Sequence, residues 1–370
     1  MNRRECDARE LGAWLRLLET PGVGREAARR LLAAFGSPDA VLAASIEDRR
    51  QVVSAAAAVA LARPGEHHDA LISTTINWLS ADSRRQVLCL GEPDYPPPLL
   101  EIADPPLLLY ASGRVELLRL PSLAMVGSRH ATAQGRENAR TFAAQLGQAG
   151  LTIVSGLALG IDGAAHEGAL DTPGGTIAVV GTGLDQAYPR RHATLSQQIA
   201  EKGLLISEYS LGTPPLRENF PQRNRIIAGL TRGTLVVEAT LQSGSLITAR
   251  LAAEAGRDVF AMPGSIHAPQ AKGCHALIKQ GAKLVETVLD VLDELGIAMA
   301  PAVPAVSAPE PDAPAHPLLD AMGHDPIGLD ELVARTGWSA AELNARLLDL
   351  ELAGRVERLP GQRFQRLDRA

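Results

Sequence analysis

At 370 residues the chain is longer than a single core usually grows, so two or three domains are expected. A composition of 46% hydrophobic and 21% charged residues suits globular domains and excludes general disorder, while a net charge of −6 excludes nucleic-acid binding through global basicity and leaves any phosphate contact to a local patch. Cys6, Cys89 and Cys274 form no CxxC pair or Cys/His cluster, the first residues are too polar for a signal peptide, and no apolar run approaches the roughly 18 residues of a membrane helix, so neither a metal nor a cofactor nor membrane insertion is expected, and the cytoplasm is the expected compartment.

In chain order, residues 11–62 carry apolar spacings of three and four and read as short helices. Between two of them stands Thr20-Pro21-Gly22-Val23-Gly24, either the hairpin of a helix-hairpin-helix module offering backbone N–H groups to a phosphate or a plain interhelical turn. From Val87 the texture changes to a short strand, a proline-laden approach through YPPPLLEIADPPLLLYASG, and then apolar runs alternating with helical patterns up to DVFAMPG. Such alternation, with runs lacking polar interruption, predicts an α/β domain: an extended Rossmann-like, doubly wound, mostly parallel sheet. Residues 298–316 are Ala/Pro-rich and read as a semi-stiff linker. Beyond it, three helical patterns and two short strands around Pro360-Gly361 predict a winged helix, with Ser339 capping the helix that would read DNA. That helix offers Asn344 and Arg346 against Glu342, Asp349 and Glu351, a balance favouring protein contact or dimerisation over duplex reading. The expected divisions are 1–80 (helical), 81–297 (Rossmann-like), 298–316 (linker) and 317–370 (winged helix).

Four segments after expected strands carry candidate chemistry, because ligands of open α/β sheets bind at strand carboxyl ends. Gly127-Ser128-Arg129 offers close backbone approach, a hydroxyl and a planar cation; a tight turn with a solvated arginine is the alternative. Ser155-Gly156 opens a Gly-rich loop, with Asp162 able to cap the next helix and His166 best read as structural. Leu216–Arg232 holds four arginines and one acid in seventeen residues, including Arg217, Arg223, Arg225 and Arg232, with Asn224 beside them and Phe220 as a stacking face. A merely solvated helical face reads about as well from composition. Ser243-Gly244-Ser245 opens a helix whose free N–H groups and hydroxyls suit an anion or simple capping.

Taken together, VGSRHAT, SGLALGIDGAAHEGAL, VVGTGLDQAYPRRH, ISEYSLGTPPLRENFPQRNRIIAGL, VVEATLQSGSLITARLAAEAGRDVFAMPG and KGCHALIKQGAKLV, in this order, resemble the DprA/Smf family, over roughly Tyr95 to Leu289. The flanking helical segment, of the SAM or helix-hairpin-helix kind, and the terminal winged helix resemble its fuller members. The resemblance implies single-stranded DNA binding without catalysis, protection of incoming strands in natural transformation, loading of the RecA recombinase, and a homodimer. It places Gly127, Ser128, Arg129, Ser155, Gly156, Arg217, Phe220, Arg223, Asn224 and Ser243–Ser245 around the strand, with Arg217 where relatives often have lysine. The alternatives are a nucleotide-binding module, or a nucleoside-monophosphate phosphoribohydrolase with Glu238 near its pocket. The latter is disfavoured because Pro173-Gly174-Gly175-Thr176 enters a strand rather than opening a helix.

Overall fold

The computed structural model describes residues 8–297, 316–323, 326–359 and 361–367. Six helices come first: α1 (Ala8–Glu19), α2 (Arg25–Phe35), α3 (Pro38–Ala43), α4 (Ile46–Arg50), α5 (Ala55–Ala60) and α6 (His68–Ala81). Ser37, Ser45 and Ser54 start α3, α4 and α5, each accepting a backbone N–H three residues on, so the short helices are closed by local polar chemistry. Their apolar faces, including Leu11, Leu15 and Leu31, pack on Leu108 and Tyr110 of a hairpin made by β1 (Arg85–Cys89) and β2 (Leu108–Gly113). The helical segment therefore shares a core with the sheet.

The sheet continues through β3 (Ser122–Val126), α7 (Ala133–Gln148), β4 (Thr152–Ser155), α8 (Ile161–Ala169), β5 (Thr176–Val179), α9 (Ala193–Lys202) and β6 (Leu204–Ser207). It crosses back through α10 (Asn219–Leu230), β7 (Gly233–Val236), α11 (Ser245–Glu254), β8 (Asp258–Ala261), α12 (Lys272–Lys279), β9 (Lys283–Leu284) and α13 (Val288–Glu294). Strand order is β1-β2-β6-β5-β4-β3-β7-β8-β9, parallel from β6 to β9, with β1 and β2 added antiparallel at one edge. Strands β3 to β7 are buried along their whole length, which is why they read as unbroken apolar runs. Helices α7, α8 and α13 cover one face, and α10, α11 and α12 the other. The doubly wound reading holds. The sequence reading folded residues 108–113 into an irregular approach, however, whereas they form β2: once past the two prolines, LLYASG pairs on both sides with β1 and β6.

The last part comprises α14 (Pro317–Met322), β10 (Ile327–Gly328), α15 (Leu329–Thr336), α16 (Ala340–Leu352), β11 (Val356–Leu359) and β12 (Arg363–Arg366), a winged-helix order around its own core of Leu318, Leu332, Leu347 and Phe364. Ser339 accepts the Glu342 N–H at 3.2 Å, capping α16. The expected linker, apart from His316, lies outside the described residues.

Candidate functional site

The chain reverses its direction of winding between β3 and β7, so the carboxyl ends of β3, β4 and β5 face a crevice that the loops after them must line. A cavity of about 80 Å3 lies there, walled by Arg129, Gly156, Thr182, Tyr188, Phe220 and Arg223 among others. The Phe220 ring is the centre of this group. Tyr188 lies 5.3 Å from it between centroids, the Arg129 guanidinium 5.8 Å and the Arg223 guanidinium 6.0 Å. Gly181, just past β5, leaves room for the close approach of the ring, since a Cβ there would stand 3.1 Å from Phe220 Cδ1. Arg129 and Tyr188 are exposed; Phe220 is half-buried.

The floor is held by buried polar chemistry. Asp162 accepts the N–H groups of Gly156 at 3.1 Å and Ala158 at 3.3 Å, so it ties down the loop after β4 rather than capping α8. Between them Leu157 is forced to φ +57, a strained value for a branched side chain. Its N–H donates to His166 Nε2 at 3.3 Å and its carbonyl lies 3.0 Å from His192 Nδ1. With Nε2 accepting, His166 carries its proton on Nδ1, which donates to Thr176 Oγ1 at 2.7 Å. Burial first, then the His192 and Arg223 charges, lower the His166 pKa to about 3, so this ring is a neutral structural group with both nitrogens engaged.

Arg223 is only 4% exposed. It donates to the Val179 carbonyl and, at 3.1 Å, to Asn224 Oδ1. Burial lowers its pKa to about 10 against the pull of Asp162, whose own pKa burial raises against the pull of Arg223. Gly156 is what allows this pair to meet the loop: a Cβ there would run into the Arg223 guanidinium, 2.6 Å from Cζ.

The other expected site residues separate into different environments. Gly127 serves close packing, since a Cβ would stand 2.9 Å from the Glu238 carbonyl, and the Ser128 N–H donates to that carbonyl at 2.7 Å. Ser155 Oγ is fully buried and donates to Met125 O at 2.6 Å, which leaves its side chain unavailable to a ligand. Ser243, Gly244 and Ser245 stand at the start of α11, with 2.7 Å between the two hydroxyls, outside the cavity lining. Glu238 spends both carboxylate oxygens on Thr132, at 2.9 Å from its N–H and 2.6 Å from its hydroxyl, and Thr132 caps α7. Burial raises the Glu238 pKa.

The arginine-rich segment is not one basic strip. Arg217 is exposed just before α10, and Arg223 lies under the cavity. Arg225 makes a paired contact with Glu208 at 2.7 and 2.6 Å and reaches the Asp104 carbonyl at 2.8 Å; it is an internal ion-pair residue. Arg232 precedes β7 and so sits at the opposite edge of the sheet. A helix spreads twelve residues over roughly 18 Å, and a charge count along the chain does not register that spread. Conversely, Tyr188 was not singled out from the sequence. The signal available was a Tyr-Pro pair in the loop after β5 of an aromatic-poor chain.

Residues 86–296, more than half of the chain, match the family described as DNA recombination-mediator protein A. The chain belongs to that family. Residues 302–362 also match the DprA winged helix domain. Among individual relatives of the DNA recombination-mediator protein A family, the chain is 44% identical to protein Smf of Escherichia coli K12, over 81% of this chain and 82% of that one. It is 52% identical to DNA processing protein DprA of Streptococcus pneumoniae R6, over 54% and 71%. The X-ray structure of DprA from S. pneumoniae superposes with a TM-score of 0.67 at 39% identity, covering 76% of this chain and 97% of that one. DNA processing protein A from Helicobacter pylori, whose structure concerns a unique single-stranded DNA binding mode, superposes with a TM-score of 0.52 at 32% identity, covering 58% and 97%. The chain is thus similar to DNA-processing proteins over both its sheet and its winged helix.

Proposed function

We propose that this protein binds single-stranded DNA through the Phe220 cavity, without catalysis, and acts in DNA processing during natural transformation. One observation carries the reading: the Tyr188 ring and the Arg129 and Arg223 guanidinium groups all lie within 6.0 Å of the Phe220 ring centre at the carboxyl edge of the sheet. A π-face beside exposed cations is what an unpaired base and its flanking phosphate require, and a duplex offers no such free base face. Arg129 and Arg217 contact phosphates, Phe220 and Tyr188 present the stacking surface, and Arg223 with Asn224 sets the floor. Among the described residues the lining contains no carboxylate or histidine, and the Glu238 carboxylate is spent on Thr132, which supports binding over hydrolysis. By family resemblance, the working unit is a cytoplasmic homodimer that protects incoming strands and hands them to RecA.

The test is fluorescence anisotropy with labelled oligo-dT and a matched duplex over a salt series. Single strands are expected to bind in preference, with log K falling by about 0.7 per phosphate contacted for each unit of log salt. Equal affinity for duplex, or a salt-insensitive complex, contradicts the clamp.

A further inference from the structure

The helical segment holds a second cavity, of about 220 Å3, between α1, α3 and α6. Gly12 keeps it open: a Cβ there would stand 3.0 Å from Ile72 Cδ1 and 3.9 Å from His68 Nε2. Its polar lining is Arg9, Arg16, Asp39 and His68. Arg16 donates through Nη2 to the Leu61 carbonyl at 2.6 Å, but its Nε–H is buried and meets no acceptor among the described residues. Asp39 does not supply one, because Arg9 lies on its carboxylate at 3.3 Å. Behind Arg16 stands a second guanidinium, Arg49, buried and committed to the Ala44 and Ala58 carbonyls. Burial, and then Arg49, lower the Arg16 pKa; burial, and then Arg16, lower that of His68, with only Asp69 opposing. The cavity floor is therefore positive, partly desolvated and short of one acceptor.

We propose that this cavity binds a phosphate-type oxyanion, held between the Arg16 guanidinium and the His68 ring. A tetrahedral oxyanion supplies the acceptor that the Arg16 Nε–H lacks, and its oxygens match the planar donors of a guanidinium. Its charge also favours the imidazolium form of His68, so binding takes up a proton. A free phosphate and the phosphate group of a nucleic-acid strand share this chemistry. The site lies apart from Phe220 and does not rest on single-strand binding there.

The experiment uses the full chain and follows the His68 ring by NMR, assigned with His68→Gln. Inorganic phosphate, 5′-phosphorylated oligo-dT and unphosphorylated oligo-dT are added separately at constant ionic strength. Phosphate is expected to give a saturable shift and to raise the His68 pKa by about one unit, the linkage equivalent of tenfold tighter binding to the protonated ring. A response to the phosphorylated oligonucleotide alone among the two strands assigns a strand end, and a response to both assigns a phosphodiester. Arg16→Gln abolishes the shift and Arg16→Lys restores part of it. Because Arg16→Gln also removes the bond to Leu61, His68→Leu provides the second variant, expected to fold and to lose the rise in Tm that phosphate gives the parent. No response of a folded protein to any of the three probes overturns the site.

Discussion

Arg129 and Arg223 approach the Phe220 ring to 5.8 and 6.0 Å, yet they differ in what each gives a ligand. Arg129 is exposed, so Arg129→Ala is expected to lower affinity and to reduce the salt slope by about 0.7, the loss of one phosphate contact, with Tm unchanged. Arg223 has its donors committed and its charge facing Asp162. Arg223→Ala leaves a buried carboxylate without its counter-charge, and a fall in stability of about 3 kcal/mol, read by denaturant unfolding, is expected alongside lost binding. Phe220→Ala removes a stacking face worth about 1–3 kcal/mol and should weaken binding roughly 5- to 150-fold while leaving the salt slope as it was. His166 makes a pH prediction. Its folded pKa of about 3 lies below the ordinary histidine value, so between these two the unfolded chain binds a proton that the folded chain refuses. Its contribution is complete above pH ~6.5 and is lost as pH falls towards 3, up to roughly 5 kcal/mol if the fold persists that far. His166→Gln should flatten the stability–pH curve over that window; an unchanged curve would mean the ring is not held neutral. At this scale the sequence made Arg129, Phe220, Arg223 and Gly156 legible, because their residue types are rare or special where they stand. It hid Ser155, whose inward hydroxyl depends on pairing with β3, and Tyr188, whose ring reaches Phe220 from another loop.

Among the elements, α2, α10 and the end of β6 are joined by ions that the sequence keeps far apart. Arg25, Arg29 and Arg225 surround Asp104, and Glu208, whose side chain is only 6% exposed, takes Arg225. Removing one partner of so buried a set leaves an uncompensated charge, so Glu208→Ala should cost about 3 kcal/mol, whereas Arg9→Ala, breaking an exposed pair, should cost about 1 kcal/mol or less. Thermal unfolding of the two variants checks the difference. This network explains why α10 resisted a reading from composition. Its arginines suggest a solvated or DNA-facing strip, but Ile226, Ile227 and Leu230 bury the helix against the sheet, and of its two arginines Arg223 lies under the cavity while Arg225 pairs with Glu208. The parallel strands were legible because burial on both faces leaves an unmistakable apolar run. β2 was not, because its identity as a strand comes from partners β1 and β6 rather than from its own pattern.

At the scale of the molecule, the helical segment and the sheet share a core through Leu108 and Tyr110, while the winged helix closes a core of its own. Excised residues 316–370 are therefore expected to unfold cooperatively, and excised residues 1–82 are not, as monitored by circular dichroism on heating. On α16, Arg346 is engaged by Glu342 at 3.0 Å and lies 4.2 Å from the Trp338 ring. A protein of net charge −6 holds an anionic strand only where cations are concentrated, and the proposed function seats the strand's base in the Phe220 cavity, beside Arg129 and Arg223. Photocrosslinking with oligo-dT carrying single 5-iododeoxyuridine residues, followed by mass spectrometry of the peptides, asks directly where a base lies. Adducts on Phe220 or Tyr188, competed away by unlabelled single strand and not by duplex, are the expected result. Adducts confined to the winged helix or to Ser243–Ser245, with Phe220 and Tyr188 unmodified, would contradict a base seated in this cavity.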